Sequence, residues 1–223
     1  MTKAIVIGAT GLTGSALVQQ LLENDHFSAV TAISRRSAGL SHPKFKEIIV
    51  DFEQPELWID YVQGDAAFST LGTTRRAAGS FPAQYRVDYD YQYEFAKAAE
   101  LNGIQSFILL SSIDANASSG VAYTRMKGEL DNAVNALKIP RVRIIRPGFL
   151  DGTRSHARPF EFLSLAAARL VAGLGIARQY RPIPVESVAK AMIGAYFDGE
   201  EKRHIYEGEA VFLLAGAGQS QLR

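Results

Sequence analysis

The chain has no cysteine, which excludes disulfide staples, thiolate nucleophiles and thiolate-ligated metals. Histidine is scarce too. His26, His42, His156 and His204 are scattered without metal-ligand spacing, and no Ser-His-Asp spacing points to a hydrolase. An excess of one charge is missing: 24 Lys and Arg against 23 Asp and Glu leave a formal net charge of +1. Nucleic-acid binding usually carries a strong basic excess, so nucleic acid is not expected as a partner. No apolar run is long enough for a membrane span, and MTKAIVIGAT lacks the layout of a signal peptide. The expectation is a soluble cytoplasmic protein with no membrane partner. In such a chain the sequon-like Asn116-Ala117-Ser118 has no physical consequence. Repeats and long low-complexity linkers are also missing, and 223 residues suit one well-buried α/β domain rather than two.

What is present is an alternation. KAIVIG (3–8), SAVTAIS (28–34), FKEIIVD (45–51), DAAFSTL (65–71), QSFILLSS (105–112) and RVRIIRP (141–147) read as strands, several apolar enough to be buried on both faces. Helical patterns separate most of them, at 11–24, 55–62, near 83–102 and from about 121 to 138. VDYDYQY (87–93) alternates like a strand, but AKAAELN continues it with strong helix formers and a crossover is needed before residue 105, so it is assigned to helix. This is the βαβ rhythm of a doubly wound parallel sheet. After residue 148 it loosens into a helix-like 160–173, an extended RPIPV (181–185), the helix ESVAKAMIGAY (186–196) and HIYEG (204–208) as a further strand. These are expected to form a small substrate-side cap over 148–215, with 216–223 a frayed tail.

The first strand runs into GATGLTG, with Gly8, Gly11 and Gly14 three apart. Glycine lets the backbone approach an anion closely, and the free N–H groups opening the next helix point at its charge. A strand before and a helix after supply the context of a dinucleotide site. Where the second strand ends, an acidic residue would favour NAD. Ser34, Arg35 and Arg36 stand there instead, and two guanidinium forks suit a 2′-phosphate. NADP(H) is therefore favoured over NAD(H). Asp51-Phe52 follows the third strand where an adenine edge could be met, although Asp51 serves equally as a strand-ending polar residue. LGTTRR (71–76) begins with Leu71, Gly72 and Thr73, a turn able to pass under the middle of the cofactor.

The fifth strand ends in Ser111-Ser112, and YTRMKGE follows at 123–129. On a helix, Tyr123 and Lys127 are neighbours on one face. A carbonyl reduced by hydride needs a proton donor, and an unperturbed tyrosine, with a pKa of about 10, is a poor one until a nearby ammonium favours its phenolate. In a parallel sheet ligands gather at the carboxyl ends of the strands, so serines, glycine turns and this pair converge on one crevice.

TGxxGxxG, SS after the fifth strand, YxxxK and RPG (146–148) together resemble the short-chain dehydrogenase/reductase superfamily. GATGLTG, SRR, LGTTRRAAG, LLSS, YTRMKGE and IIRPGFL, in that order over roughly 3 to 200, resemble its short atypical branch, the Tat-interacting-protein-like oxidoreductases. The resemblance implies a Rossmann fold with bound NADP(H). Gly8, Gly11 and Gly14 would cradle the pyrophosphate, with Thr10, Leu12 and Thr13 lining the turn. Arg35 and Arg36 would take the 2′-phosphate, Ser112 would polarise the substrate, Tyr123 would be the acid/base and Lys127 its partner, with Ser111 and Pro147 on the cofactor side.

The sequence departs from that pattern at the proton relay. Where many members carry NNAG and a helical asparagine that relays protons, this chain has LGTT and Asp88. The branch also includes proteins that use NADP(H) as a regulatory ligand, so a redox sensor acting through a protein partner stands as the alternative to an enzyme. The expected substrate is a small carbonyl compound. Arg75, Arg76, Arg154 and Arg158 suit an anionic one but equally suit a solvated surface, and Tyr85, Tyr89, Tyr91 and Tyr93 suit core or a subunit interface. His156 in RSHARP could touch substrate, though a lone loop histidine is a weak signal, and the chain reads equally as a monomer or a homodimer.

Overall fold

The computed structural model describes residues 1–151, 180–199 and 201–217. Its centre is β1 (Thr2–Ile7), whose side chains divide between two cores: Ala4 and Val6 enter one, Ile5 and Ile7 the other. That division explains why the strand reads as an unbroken apolar run. Around it lie β2 (Phe27–Ser34), β3 (Phe45–Ile49), β4 (Ala66–Ser69), β5 (Ser106–Leu110), β6 (Arg141–Arg146) and a last strand at Arg203–Glu207, in the spatial order β3-β2-β1-β4-β5-β6 and then the last strand. Every pairing in this seven-stranded sheet is parallel. The order reverses at β1, between β2 and β4, and such a reversal opens a crevice at the carboxyl ends of the strands.

One face is covered by α1 (Leu12–Glu23), with Leu17, Val18 and Leu21 fully buried. The other carries α2 (Arg75–Ala78) and α3 (Phe81–Tyr85), then one π-turn (Arg86–Asp90), α4 (Tyr91–Leu101) and α5 (Ala122–Asn135). The assignment of VDYDYQY to helix holds, with the added feature that its backbone widens to π geometry, a device common at functional sites. Tyr85, Tyr89 and Tyr93 stack along this stretch, whereas Tyr91 turns inward onto Phe52. The expected helix at 55–62 is instead two 3₁₀ turns, Pro55–Leu57 and Ile59–Tyr61. Trp58 between them leaves helical geometry at φ −130° and drops into the core edge-on to Phe52, while the Asn102 amide takes the Ile59 and Val62 carbonyls.

Parts expected in a cap belong to the main layers. After the short pair β7 (Leu150–Asp151) and β8 (Ile183–Pro184), ESVAKAMIGAY forms α6 (Val185–Phe197), which packs beside α1. HIYEG falls within β9 (Arg203–Glu207), the seventh strand of the sheet, and α7 (Glu209–Ala217) packs against α6. The reason is burial: Val188, Met192 and Val211 are apolar and enter the core on the α1 face of the sheet. The expected helix at 160–173, with Arg154, His156 and Arg158, lies outside the described residues, as do 218–223 of the expected tail.

Candidate active site

Gly8 follows β1 with φ +87°, a conformation glycine adopts without strain. A Cβ there would meet the backbone of Thr70 and Leu71 at 2.6 Å. At Gly14 a Cβ would lie 2.1 Å from the Gly8 carbonyl oxygen, so helix and turn approach as only glycine allows. Gly11 is the N-cap of α1 and, lacking a side chain, leaves the first turn without a side-chain cap; that turn also holds no acidic residue. Its unshared N–H groups and the positive end of the helix dipole form a cradle that fits the pyrophosphate of a dinucleotide. Thr10 is exposed, Leu12 partly so, and Thr13 is buried beneath the turn.

At the end of β2 the Ser34 side chain is buried while Arg35 and Arg36 are exposed. Asp51 accepts the Glu53 N–H at 3.0 Å and the Gln54 amide at 3.1 Å, which hold its carboxyl below the ordinary carboxylate range. It caps its own turn. The side chain of Phe52, 3% exposed, packs on Trp58 and Tyr91, which leaves only its backbone for an adenine contact.

Leu71, Gly72 and Thr73 form the turn after β4, and Asp88 fastens it. Asp88 Oδ2 accepts the Thr73 N–H at 2.9 Å, and its other oxygen lies 4.0 Å from Lys127 Nζ. Both side chains are almost fully buried, at 2% and 3% exposure. Burial pushes the Asp88 carboxyl above its ordinary value, opposed by the Lys127 ammonium and the Thr73 N–H. Gln92 anchors the π-turn from behind, donating to the Asp88 carbonyl at 2.7 Å and accepting from the buried Ser69 hydroxyl at 2.8 Å.

One turn beyond Lys127 on α5 comes Asp131, 1% exposed. Arg146 Nε and Nη2 each lie 2.9 Å from Asp131 Oδ2, and Arg146 Nη1 reaches Glu207 at 3.5 Å. Burial raises the Asp131 carboxyl, while the Ser111 hydroxyl, Arg146 and Lys127 pull it down. The Ser111 hydroxyl and Asp131 Oδ1 are buried close together without a well-formed hydrogen bond of their own. The two serines therefore part: Ser111 lies beneath α5, and Ser112 remains partly open. Tyr123 is 39% exposed, and its hydroxyl has no partner among the described residues. Gly128 lets α5 press on the loop after β5, since a Cβ there would lie 2.2 Å from the Ala117 nitrogen. That loop is further tied by Ile113 N–H to the carbonyl of buried Pro147 at 3.0 Å, and by the Asp114 N–H to Glu207 at 2.9 Å. Asp114 takes φ +59° to do so.

Asp131 and Glu207 are missing from the sequence reading. KGELD does place Asp131 four residues after Lys127, but nothing local links it to Arg146 or to a glutamate of the seventh strand.

A doubly wound parallel sheet, a glycine cradle at its reversal and a Tyr-x-x-x-Lys helix on the same carboxyl edge define a dinucleotide-binding oxidoreductase-like fold of the atypical short-chain dehydrogenase/reductase type. Residues 8–198 match the NAD(P)H-binding family, and the chain belongs to it. It is 39% identical to the mitochondrial protein fmp52 of Aspergillus fumigatus over 97% of this chain and 99% of that one. With HTATIP2 of Rattus norvegicus it shares 35% identity over 94% of this chain and 87% of that one. Among solved structures, the Bordetella bronchiseptica enzyme WbmH in complex with NAD+ superposes with a TM-score of 0.70 at 15% identity, covering 97% and 80% of the two chains, a likeness of fold. The fungal relatives correct one expectation. They are named as mitochondrial, which points away from the cytoplasm. Among the described residues no helix is long and apolar enough to cross a membrane.

Proposed function

We propose that this chain is an NADP(H)-dependent reductase acting on a small aldehyde or ketone. The dinucleotide supplies the hydride. The Gly8–Gly14 cradle would hold its pyrophosphate, and Arg35 and Arg36 its 2′-phosphate. Ser112 would hold the substrate oxygen, and Tyr123 would deliver or take the proton, with Lys127 one turn along.

The observation that carries this reading is the contrast within one helix. Tyr123 stands at the open edge with its hydroxyl free among the described residues, while Lys127 is buried behind it and held by Asp88, which also grips the turn at 71–73. The phenol is accessible to a substrate and stands one helical turn from a buried ammonium, the arrangement a tyrosine acid/base requires. Tyr123→Phe is expected to lower kcat at least a hundredfold, the scale of general acid catalysis, with NADPH affinity unchanged. Full activity in that variant would dismiss the acid/base role.

A second reading has one observation in its favour. The Lys127 ammonium faces a carboxylate at Asp88 and has another nearby at Asp131, so much of its charge is already balanced. That suits a protein that binds NADP(H) and signals its redox state to a protein partner without turning it over.

A further inference from the structure

The chain leaving β2 folds back along β3, the edge strand of the sheet, and one carboxylate holds it there. Glu47 is half-buried on β3. Its Oε1 accepts the Ala38 N–H at 2.8 Å and the Ser34 hydroxyl at 3.0 Å, and that hydroxyl also lies 3.0 Å from the Arg36 carbonyl. Ser37 Oγ accepts the Gly39 N–H at 3.0 Å, and Gly39 carries the backbone onward at φ +66°. These bonds bracket the two arginines from both sides. Arg35 and Arg36 are exposed, and neither guanidinium makes an ion pair with a described residue. The arch engages Glu47 through Oε1, and both guanidinium forks stay available to an anion.

We propose that Glu47 is a specificity-determining positioning residue, fixing the Ser34–Ala38 arch so that Arg35 and Arg36 act together on a 2′-phosphate. The proposal rests on the NADP(H) reading above. A negative charge at Glu47 opposes a phosphate at longer range, but that opposition is screened at an exposed rim, whereas a fixed backbone spares the ligand the cost of ordering the loop.

The test is titration of the pure full-length protein with 2′,5′-ADP and with 5′-AMP, which differ by the phosphate in question. The unaltered protein is expected to prefer 2′,5′-ADP. Glu47→Ala should reduce that preference about five- to tenfold while leaving 5′-AMP affinity alone, as expected for lost hydrogen bonds to a charged acceptor. Glu47→Gln, which keeps an acceptor oxygen, should hold the preference at or above the starting value. An unchanged preference in Glu47→Ala overturns the role, and so does an equal loss for both nucleotides. A rise in both variants would show that the carboxylate acts only by repulsion, and would overturn it too. Absence of any preference in the unaltered protein would instead overturn the NADP(H) reading, and this role with it.

Discussion

Lys127→Met removes one charge from the most deeply buried ionic contact of the site, and its cost follows from the geometry. The methionine keeps most of the apolar stem, so packing is nearly conserved. Asp88, 2% exposed, loses the ammonium 4.0 Å away and keeps only the Thr73 N–H. Breaking one side of a buried pair costs about 3–5 kcal/mol, and because 4.0 Å is a loose contact the lower end, about 3 kcal/mol, is expected here. For a chain of this size that lowers Tm by roughly 6–12 °C. Asp88→Asn in the same background should return about 2 kcal/mol, since the stranded charge is then gone. The sign with pH also follows. Burial already raises the Asp88 carboxyl, so the folded state binds its proton more tightly than the unfolded one. The penalty in Lys127→Met is therefore smallest near the ordinary carboxylate value of about 4 and grows as pH rises through the raised one. The assay is urea unfolding of the four proteins of the cycle at pH 5 and pH 7. Single-variant costs that add to within about 0.5 kcal/mol at pH 7 would refute the coupling.

Three further outcomes follow from the same structure. Gly14→Ala forces a Cβ to 2.1 Å from the Gly8 oxygen; it should lose about 3 kcal/mol or more of stability and its dinucleotide binding, as read by thermal melting with and without NADPH. Replacing Arg35 and Arg36 together with alanine should weaken NADPH by about 10- to 100-fold and NADH by less than about threefold, and equal losses would remove the 2′-phosphate assignment. Asp88→Asn alone should flatten the fall in stability that the raised Asp88 carboxyl produces as pH rises above the ordinary carboxylate value; a steeper fall in the variant would contradict the direction assigned to Asp88.

The sheet was legible in the sequence because parallel strands buried on both faces leave unbroken apolar runs, and Ala4 to Ile7 feed both cores. The glycine turn was legible because its spacing, strand before and helix after are all local. The 3₁₀ turns at 55–61 were not: PELWIDYV has helical composition, and the outcome was set by Trp58 finding Phe52 and by Asn102, some 40 residues on, taking the carbonyls. The site residues divide the same way. Tyr123 and Lys127 share a helix face and could be paired on spacing alone. Asp131 meets Arg146 because α5 packs on β6, and Arg146 meets Glu207 because β6 and β9 become neighbours, which no local pattern announces. Glu47 reads as an ordinary strand residue until the chain after β2 folds back onto it.

The most direct test of the reductase reading is NADPH consumption by the pure protein across a panel of small aldehydes and ketones, with NADPH binding measured on the same preparation and Tyr123→Phe run beside it. The account predicts turnover of at least one carbonyl class that collapses in the variant while NADPH stays bound. Tight NADPH binding with no consumption across the panel would contradict it and favour the redox-sensor reading.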